Sequence, residues 1–199
     1  MSRRREVIGL VMLLPAVILM GCSDVSLPTD APRMSASASA DLAKGSDHAG
    51  AIIGHDSCDP ASFNAVLGPN ACAKPGGLTF QALIAELAAT QTVRSWRFNP
   101  LQATTHAGEA LLVKNVGGVE HTFTPVQQFG GGFIPDLNAL SGNLVPAPEC
   151  LNVPALDFVQ SGGTSLISGA ALAAVADANG IAKVLCCLHP WMRSEVRIK

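Results

Sequence analysis

The sequence lacks several features that would point to whole classes of function. It contains no Ser-His-Asp set, no paired carboxylates and no glycine-rich phosphate loop, so we predict no catalytic apparatus. The formal net charge is −2 and there is no basic stripe, which argues against a nucleic-acid partner. The apolar run near the N-terminus is too short for an ordinary transmembrane helix.

That N-terminal segment has the order of a secretory signal. Three arginines (residues 3–5) precede the uncharged run Val7–Met20, and Leu19–Cys22 then resembles a bacterial lipobox. We therefore predict a lipoprotein signal peptide over residues 1–21 and a membrane anchor through lipid on Cys22. Ser23 favours the outer membrane if the host has one. The alternatives are an uncleaved anchor, or an ordinary signal with a chance cysteine.

Composition divides the rest of the chain. We predict a flexible tether over residues 22–50, because the low-complexity segment Ser35–Ala40 and scattered prolines cannot bury enough surface to offset ordering entropy. About 150 residues remain, which is enough for one compact domain. Short apolar runs between turn signals, with 19 glycines, 13 prolines and no tyrosine in the chain, are typical of a β-sandwich.

One helix is well marked ahead of the predicted strands. Thr79 is a suitable N-cap for it, after the turn at residues 75–77. The apolar stripe of this helix has the spacing of one helical face: Phe80, Leu83, Ile84, Leu87 and Ala88. We therefore predict a small helical extension over residues 51–92, and the sequence assigns it no function.

The segment after this extension alternates between candidate strands and turns. Ala170–Ala178 is rich in alanine and fits either a helical turn or a loop. Strands are predicted over residues 93–98, 109–115, 121–124, 163–167, 181–186 and 195–199.

Seven consecutive residues near the C-terminus carry most of the chemistry in the sequence. Cys186–Met192 reads Cys-Cys-Leu-His-Pro-Trp-Met and so places a thiolate, an imidazole and a thioether close together. Soft sulfur and imidazole ligands with a weak axial methionine are what a mononuclear electron-transfer copper centre needs. A second imidazole can come from His121, which lies in a short predicted strand far upstream.

A strand-ending histidine followed downstream by Cys-x-x-His-x-x-Met resembles the cupredoxin (blue, type 1 copper) family. The resemblance covers residues 93–199 and implies an all-β, antiparallel Greek-key sandwich with one copper ion at one end. Cys186 has the family spacing, whereas Cys187 gives Cys-x-His, and adjacent residues of a strand point to opposite faces. The copper ligands that the resemblance implies are His121, Cys186, His189 and Met192.

The remaining cysteines of the exported domain predict disulfide bonds. Cys58, Cys72, Cys150 and Cys187 are even in number and allow three pairings in an oxidising compartment. Cys58 with Cys72 is favoured because the two flank one short loop, and Cys150 with Cys187 follows by elimination. A buried free thiol at Cys187 is the alternative.

The resemblance implies a non-enzymatic carrier of single electrons, and the N-terminal signal predicts that it works in the cell envelope. A redox protein partner is expected to dock near His189 and Trp191, with the membrane reached through Cys22. Three alternatives stay open: a copper carrier or storage lipoprotein, a small copper enzyme acting on a nitrogen oxide or superoxide, and an interaction module with an empty site. The oligomeric state is left open.

Some features have no assigned role at this point. The loop-rich insertion over residues 129–162 either shapes the copper surface or only covers the sandwich. Trp96 is predicted to belong to the core. Three other histidines are left unassigned, because a lone histidine is more often solvated than a ligand: His48, His55 and His106.

Overall fold

Short strands form the framework of residues 50–199, the part of the chain that the computed structural model describes. The strands are β1 Ile52–His55, β2 Arg97–Asn99, β3 Gln102–Thr105, β4 Leu111–Asn115, β5 His121–Thr122, β6 Thr124–Val126, β7 Phe158–Val159, β8 Thr164–Ile167, β9 Ile181–Leu185 and β10 Arg193–Ile198. The α-helices are α1 Pro60–Leu67, α2 Phe80–Thr90, α3 Pro135–Leu140 and α4 Gly169–Val175. The predicted signal peptide, the lipid site Cys22, nearly all of the tether and His48 lie outside the described residues.

Two four-stranded sheets form the body of the fold. The strand order is β2-β1-β4-β8 in the first sheet and β3-β10-β9-β6 in the second, and β5 pairs with β7. Both sheets contribute to one continuous buried core, with Ile52 and Val113 from the first and Val184 and Val196 from the second. The predicted class, a β-sandwich with a small helical part, is confirmed.

Two strand pairs differ from the antiparallel arrangement that the family resemblance implies. β1 lies parallel to β4, and β3 lies parallel to β10. Neither pair is consecutive in the chain, so no tight hairpin turn imposes the antiparallel direction on it. Both sheets are therefore mixed.

The first strand corrects the predicted division of the chain. Residues 51–92 were expected to be a helical extension, yet β1 lies inside the first sheet, between β2 and β4. Its signal in the sequence is only two isoleucines ahead of Gly54, too short for an alternating pattern to show. The boundary predicted at residue 93 would cut through this sheet, and residues 50–199 lie in one compact unit.

The predicted strand over residues 93–98 is also shorter than expected. β2 begins only at Arg97, because Val93 and Trp96 sit in a turn and bury their side chains in the core. The alanine-rich segment after Gly169 is a helix, α4, and its N-cap Ser168 accepts a hydrogen bond from the Ala171 amide at 3.2 Å. The hydrogen bond at the N-cap therefore favours a helix over a loop in this segment.

Helix α2 confirms the prediction from the apolar stripe. Thr79 is its N-cap and accepts a hydrogen bond from the Ala82 amide at 3.2 Å, while Leu83 and Leu87 are buried. The helix ends at Gln91, which adopts a left-handed conformation with φ of 60°. Across residues 50–199, none of the helices has the length and apolar character to span a bilayer.

Adjacent glycines between α1 and α2 give a matched test of this packing. A Cβ atom at Gly76 would lie 2.2 Å from the Ser57 carbonyl carbon, whereas one at Gly77 would meet nothing within 4 Å. We expect Gly76→Ala to lower the free energy of unfolding by about 1–3 kcal/mol, because the backbone at Ser57 must move to make room for the methyl group. Gly77→Ala should change it by less than about 1 kcal/mol. Urea denaturation measures both, and equal losses would contradict the packing described.

Candidate metal centre

Three metal-ligating side chains converge at one end of the sandwich. His121 lies in β5, and Cys186 directly follows β9. The Nδ1 atoms of His121 and His189 are 3.2 Å apart, and the Cys186 Sγ atom lies 3.7 Å from the first and 3.5 Å from the second. His121 and Cys186 are fully buried, while His189 is partly exposed. One sulfur and two nitrogens therefore face a common point.

The loop Cys186–Met192 is folded back on itself by its own backbone. The amide of His189 donates to the carbonyl of Cys186 at 3.2 Å, and the amide of Met192 donates to the carbonyl of His189 at 2.8 Å. The amide of Cys186 in turn donates to the carbonyl of Met192 at 3.1 Å. These bonds bring the buried Met192 back beside Cys186 at the base of the loop.

The donor set tests whether copper fits this place. Two imidazole nitrogens and one thiolate in a compact group, with a methionine on the same loop, are the ligands of a type 1 copper site. Thiolate and thioether sulfur favour copper over the hard cations, which prefer oxygen ligands. The residues present fit one type 1 copper ion.

The surroundings of Cys186 favour the thiolate form of its side chain. Burial alone would raise the pKa of Cys186, but the neighbouring charge of His189 and hydrogen bonds with His121 and His189 lower that pKa well below its ordinary value. The Thr122 amide also donates to the Cys186 Sγ atom at 3.4 Å. A buried thiolate between two imidazoles is ready to bind a soft metal ion.

Asp56 is a member of the site that the sequence did not reveal. Its carboxylate lies 3.0 Å from His121 Nε2, on the side of the ring away from Cys186, and both side chains are fully buried. Burial alone would raise the pKa of Asp56, but hydrogen bonds with His121, Gly118 and Val119 lower it. For the His121 imidazole, burial alone would lower the pKa, but hydrogen bonds with Asp56 and Cys186 raise it to about 9.

Two tryptophans form an aromatic wall around His189. The Trp96 ring is edge-on to His189 with centroids 4.9 Å apart, and the Trp191 ring is 5.5 Å from the same imidazole. Trp96 is core, as predicted, since only 2 % of its surface is exposed, but it also packs against the site. The two bulky rings restrict how His189 can turn.

A groove of about 690 Å³ opens beside His189. The helical extension contributes Phe63, Phe80 and Leu83 to its walls, and the insertion contributes Leu137 and Leu140. The extension and the insertion therefore meet next to the partly exposed His189.

The four other cysteines of residues 50–199 form two disulfide bonds. Cys58 is joined to Cys72, and Cys150 is joined to Cys187. The favoured pairing is therefore present, and the alternative of a free thiol at Cys187 is wrong. Cys187 packs in a second buried cluster, apart from the main core that holds Cys186, so the two adjacent side chains do point to opposite faces.

The remaining histidines of the described region lie outside the site. His55 is in β1 and His106 is in a turn, and neither belongs to the His121, Cys186 and His189 group.

Comparisons with known proteins give only distant similarity. No protein-family model and no curated protein matches the chain. Among solved structures, a purple cupredoxin from Nitrosopumilus maritimus is 15% identical, with a TM-score of 0.35 over 54% of this chain and 86% of that chain. A mutant fern plastocyanin is 17% identical, with a TM-score of 0.33 over 52% and 89%. Auracyanin from Roseiflexus castenholzii is 17% identical, with a TM-score of 0.29 over 52% and 87%.

Proposed function

We propose that this protein carries single electrons between redox partners in the bacterial cell envelope, using one type 1 copper ion. The observation that carries the proposal is the convergence of His121 Nδ1, His189 Nδ1 and Cys186 Sγ within 4.8 Å of one another. These three residues and Met192 are the proposed ligands. Copper, when bound, supplies a one-electron couple between its two oxidation states.

The surroundings of the ligands favour electron transfer because they restrain movement. Backbone hydrogen bonds fix the loop that carries Cys186, His189 and Met192, and Trp96 packs against His189. A donor set that does not rearrange suits both oxidation states of the metal. Little reorganisation of the protein then accompanies the gain or loss of an electron, which favours fast exchange with a partner.

The burial of the proposed ligands indicates where electrons can reach the metal site. His121, Cys186 and Met192 are fully buried, whereas His189 is partly exposed beside the groove. We expect electrons to enter and leave through the His189 imidazole. A redox protein partner would then dock around His189 and Trp191, because His189 is the proposed ligand that reaches the protein surface.

The envelope location is the second part of the proposal. Two disulfide bonds, Cys58–Cys72 and Cys150–Cys187, suit a protein that folds in an oxidising compartment. The N-terminal charge and apolar run favour export, and Cys22 is the proposed lipid site. Mass spectrometry of the membrane-extracted protein tests the anchor: a lipid-modified N-terminal Cys22 is expected, and an intact residue 1 would contradict it.

Voltammetry tests electron carriage against copper carriage. We expect the copper-loaded full chain to give a reversible one-electron wave that persists at fast scan rates, because the ligands scarcely move. The chain loaded with redox-inactive Zn²⁺ is the matched control and should give no wave. Tight copper binding without a reversible wave would contradict electron carriage and favour the carrier or storage alternative.

A further inference from the structure

Asp56 places a buried negative charge directly behind one proposed copper ligand. It follows β1, in the part of the chain that the family resemblance does not cover. Its side chain has no exposed surface, and its carboxylate lies against the imidazole of His121. A buried carboxylate destabilises the fold unless it is well hydrogen-bonded.

Four N–H groups point at this carboxylate. Oδ2 accepts from His121 Nε2 at 3.0 Å and from the Val119 amide at 3.1 Å. Oδ1 accepts from the Gly118 amide at 2.9 Å and from the Cys58 amide at 3.2 Å. An ionised carboxylate is an acceptor only, and two donors on each oxygen stabilise that form.

The neighbouring turn leaves room for this carboxylate. A Cβ atom at Gly117 would lie 1.8 Å from Asp56 Oδ2, so no larger residue fits while the carboxylate stays in place. The Asn115 side chain fixes the same turn by accepting from the Gly117 amide at 2.9 Å. Glycine at position 117 is therefore needed for the approach of Asp56 to His121.

We propose that Asp56 is a positioning residue that orients His121 towards the metal and lowers the reduction potential of the copper. The inference rests on the proposed copper-binding function. A proton shared between Nε2 and the carboxylate leaves Nδ1, the atom facing His189 and Cys186, free to bind metal. The negative charge behind the ring also stabilises Cu(II), which has one more positive charge than Cu(I).

This role makes the segment before residue 93 part of the metal centre. His121 is 65 positions from Asp56, and β1 brings them together by pairing with β4, the strand that precedes the Gly117–Gly118 turn. The nearby Cys58–Cys72 bond fixes the next part of the same segment. The extension therefore supplies a functional side chain in addition to walls of the groove.

The test compares two substitutions that remove the same charge from the full chain. Asp56→Asn keeps the size of the side chain and removes the charge behind His121. Asp59→Asn removes a charge three residues away, where the side chain caps α1 and asparagine caps equally well. Reduction potentials from voltammetry and Cu(II) spectra are measured for both variants and for the wild type.

We expect Asp56→Asn to lower the ratio of Cu(II) to Cu(I) affinity at least about tenfold, which raises the potential by about 59 mV. Asp59→Asn should change the ratio less than about twofold. A blue Asp56→Asn protein with a potential equal to that of Asp59→Asn would overturn the proposal. A wild type without a blue spectrum would instead overturn the copper function itself.

A second measurement on the wild type keeps the proposal testable if Asp56→Asn does not fold. In the diamagnetic Cu(I)-loaded full chain, the His121 ring should show a slowly exchanging proton on Nε2 in nitrogen-detected NMR, because the buried carboxylate holds it. A His121 ring with the proton on Nδ1, or a rapidly exchanging Nε2 proton, would overturn the assignment.

Discussion

Replacing Cys186 with alanine is expected to abolish the intense blue absorption of the copper-loaded protein. Cys186 is the one cysteine of residues 50–199 outside a disulfide, and its thiolate lies between two imidazoles. Without that sulfur, the site keeps two imidazoles and a weak thioether, so Cu(II) affinity should fall by more than about a hundredfold. Titration with Cu(II) against a competing chelator, followed by visible absorption, measures both effects.

His106→Ala is the matched control for that experiment. His106 is a potential copper ligand in a turn outside the group of converging donors, so its loss should leave colour and affinity unchanged. A Cys186→Ala protein that keeps the blue band would contradict the proposed ligand set. Loss of the band in both variants would show that the colour depends on general folding.

The largest expected effect on stability concerns the Cys150–Cys187 bond. It closes a loop with a sequence separation of 37 residues. We expect the double substitution of both cysteines by alanine to lower the free energy of unfolding by about 4 kcal/mol, because the unfolded chain gains loop entropy. The folded double variant should keep its blue band, because Cys187 lies in a buried cluster apart from Cys186.

Replacing Cys58 and Cys72 together gives the comparison for this prediction. That bond closes a shorter loop, with a sequence separation of 14, and its loss should cost about 3 kcal/mol. Denaturant unfolding of the copper-free proteins measures both losses, and absorption of the loaded proteins measures the site. A folded Cys150/Cys187 double variant without the blue band would contradict the separation of the two roles.

Local patterns explain what the sequence predicted well. Cys186, His189 and Met192 lie three positions apart in turn, so one short loop keeps them close together whatever the rest of the fold does. Helix α2 is equally predictable from the sequence, because both its apolar stripe and its N-cap Thr79 are local features. The sandwich class followed from repeated turn signals between short apolar runs.

The parts that the sequence did not reveal depend on distant contacts. β1 and β3 are each four residues long, and their partners β4 and β10 lie far along the chain. Asp56 has no local motif that distinguishes it from a surface acid, and only the pairing of β1 with β4 brings it to His121. Such register and direction are set by tertiary packing, which a single-sequence pattern does not contain.

The groove beside His189 also depends on contacts between distant parts of the chain. Phe80 and Leu83 lie on one apolar face of α2, and Leu137 belongs to the insertion. Neither segment carries a motif for the metal end of the sandwich, yet both line the groove beside His189. Their shared position follows from how α2 and α3 pack, which only the three-dimensional structure shows.

The visible and electron paramagnetic resonance spectra of the Cu(II)-loaded full chain test the central claim most directly. If His121, Cys186, His189 and Met192 hold one copper ion, the protein will show an intense thiolate-to-copper band and a narrow copper hyperfine splitting, at one copper per chain. A weak, pale spectrum with a broad splitting would show that Cys186 does not bind the metal, and would contradict the proposed site.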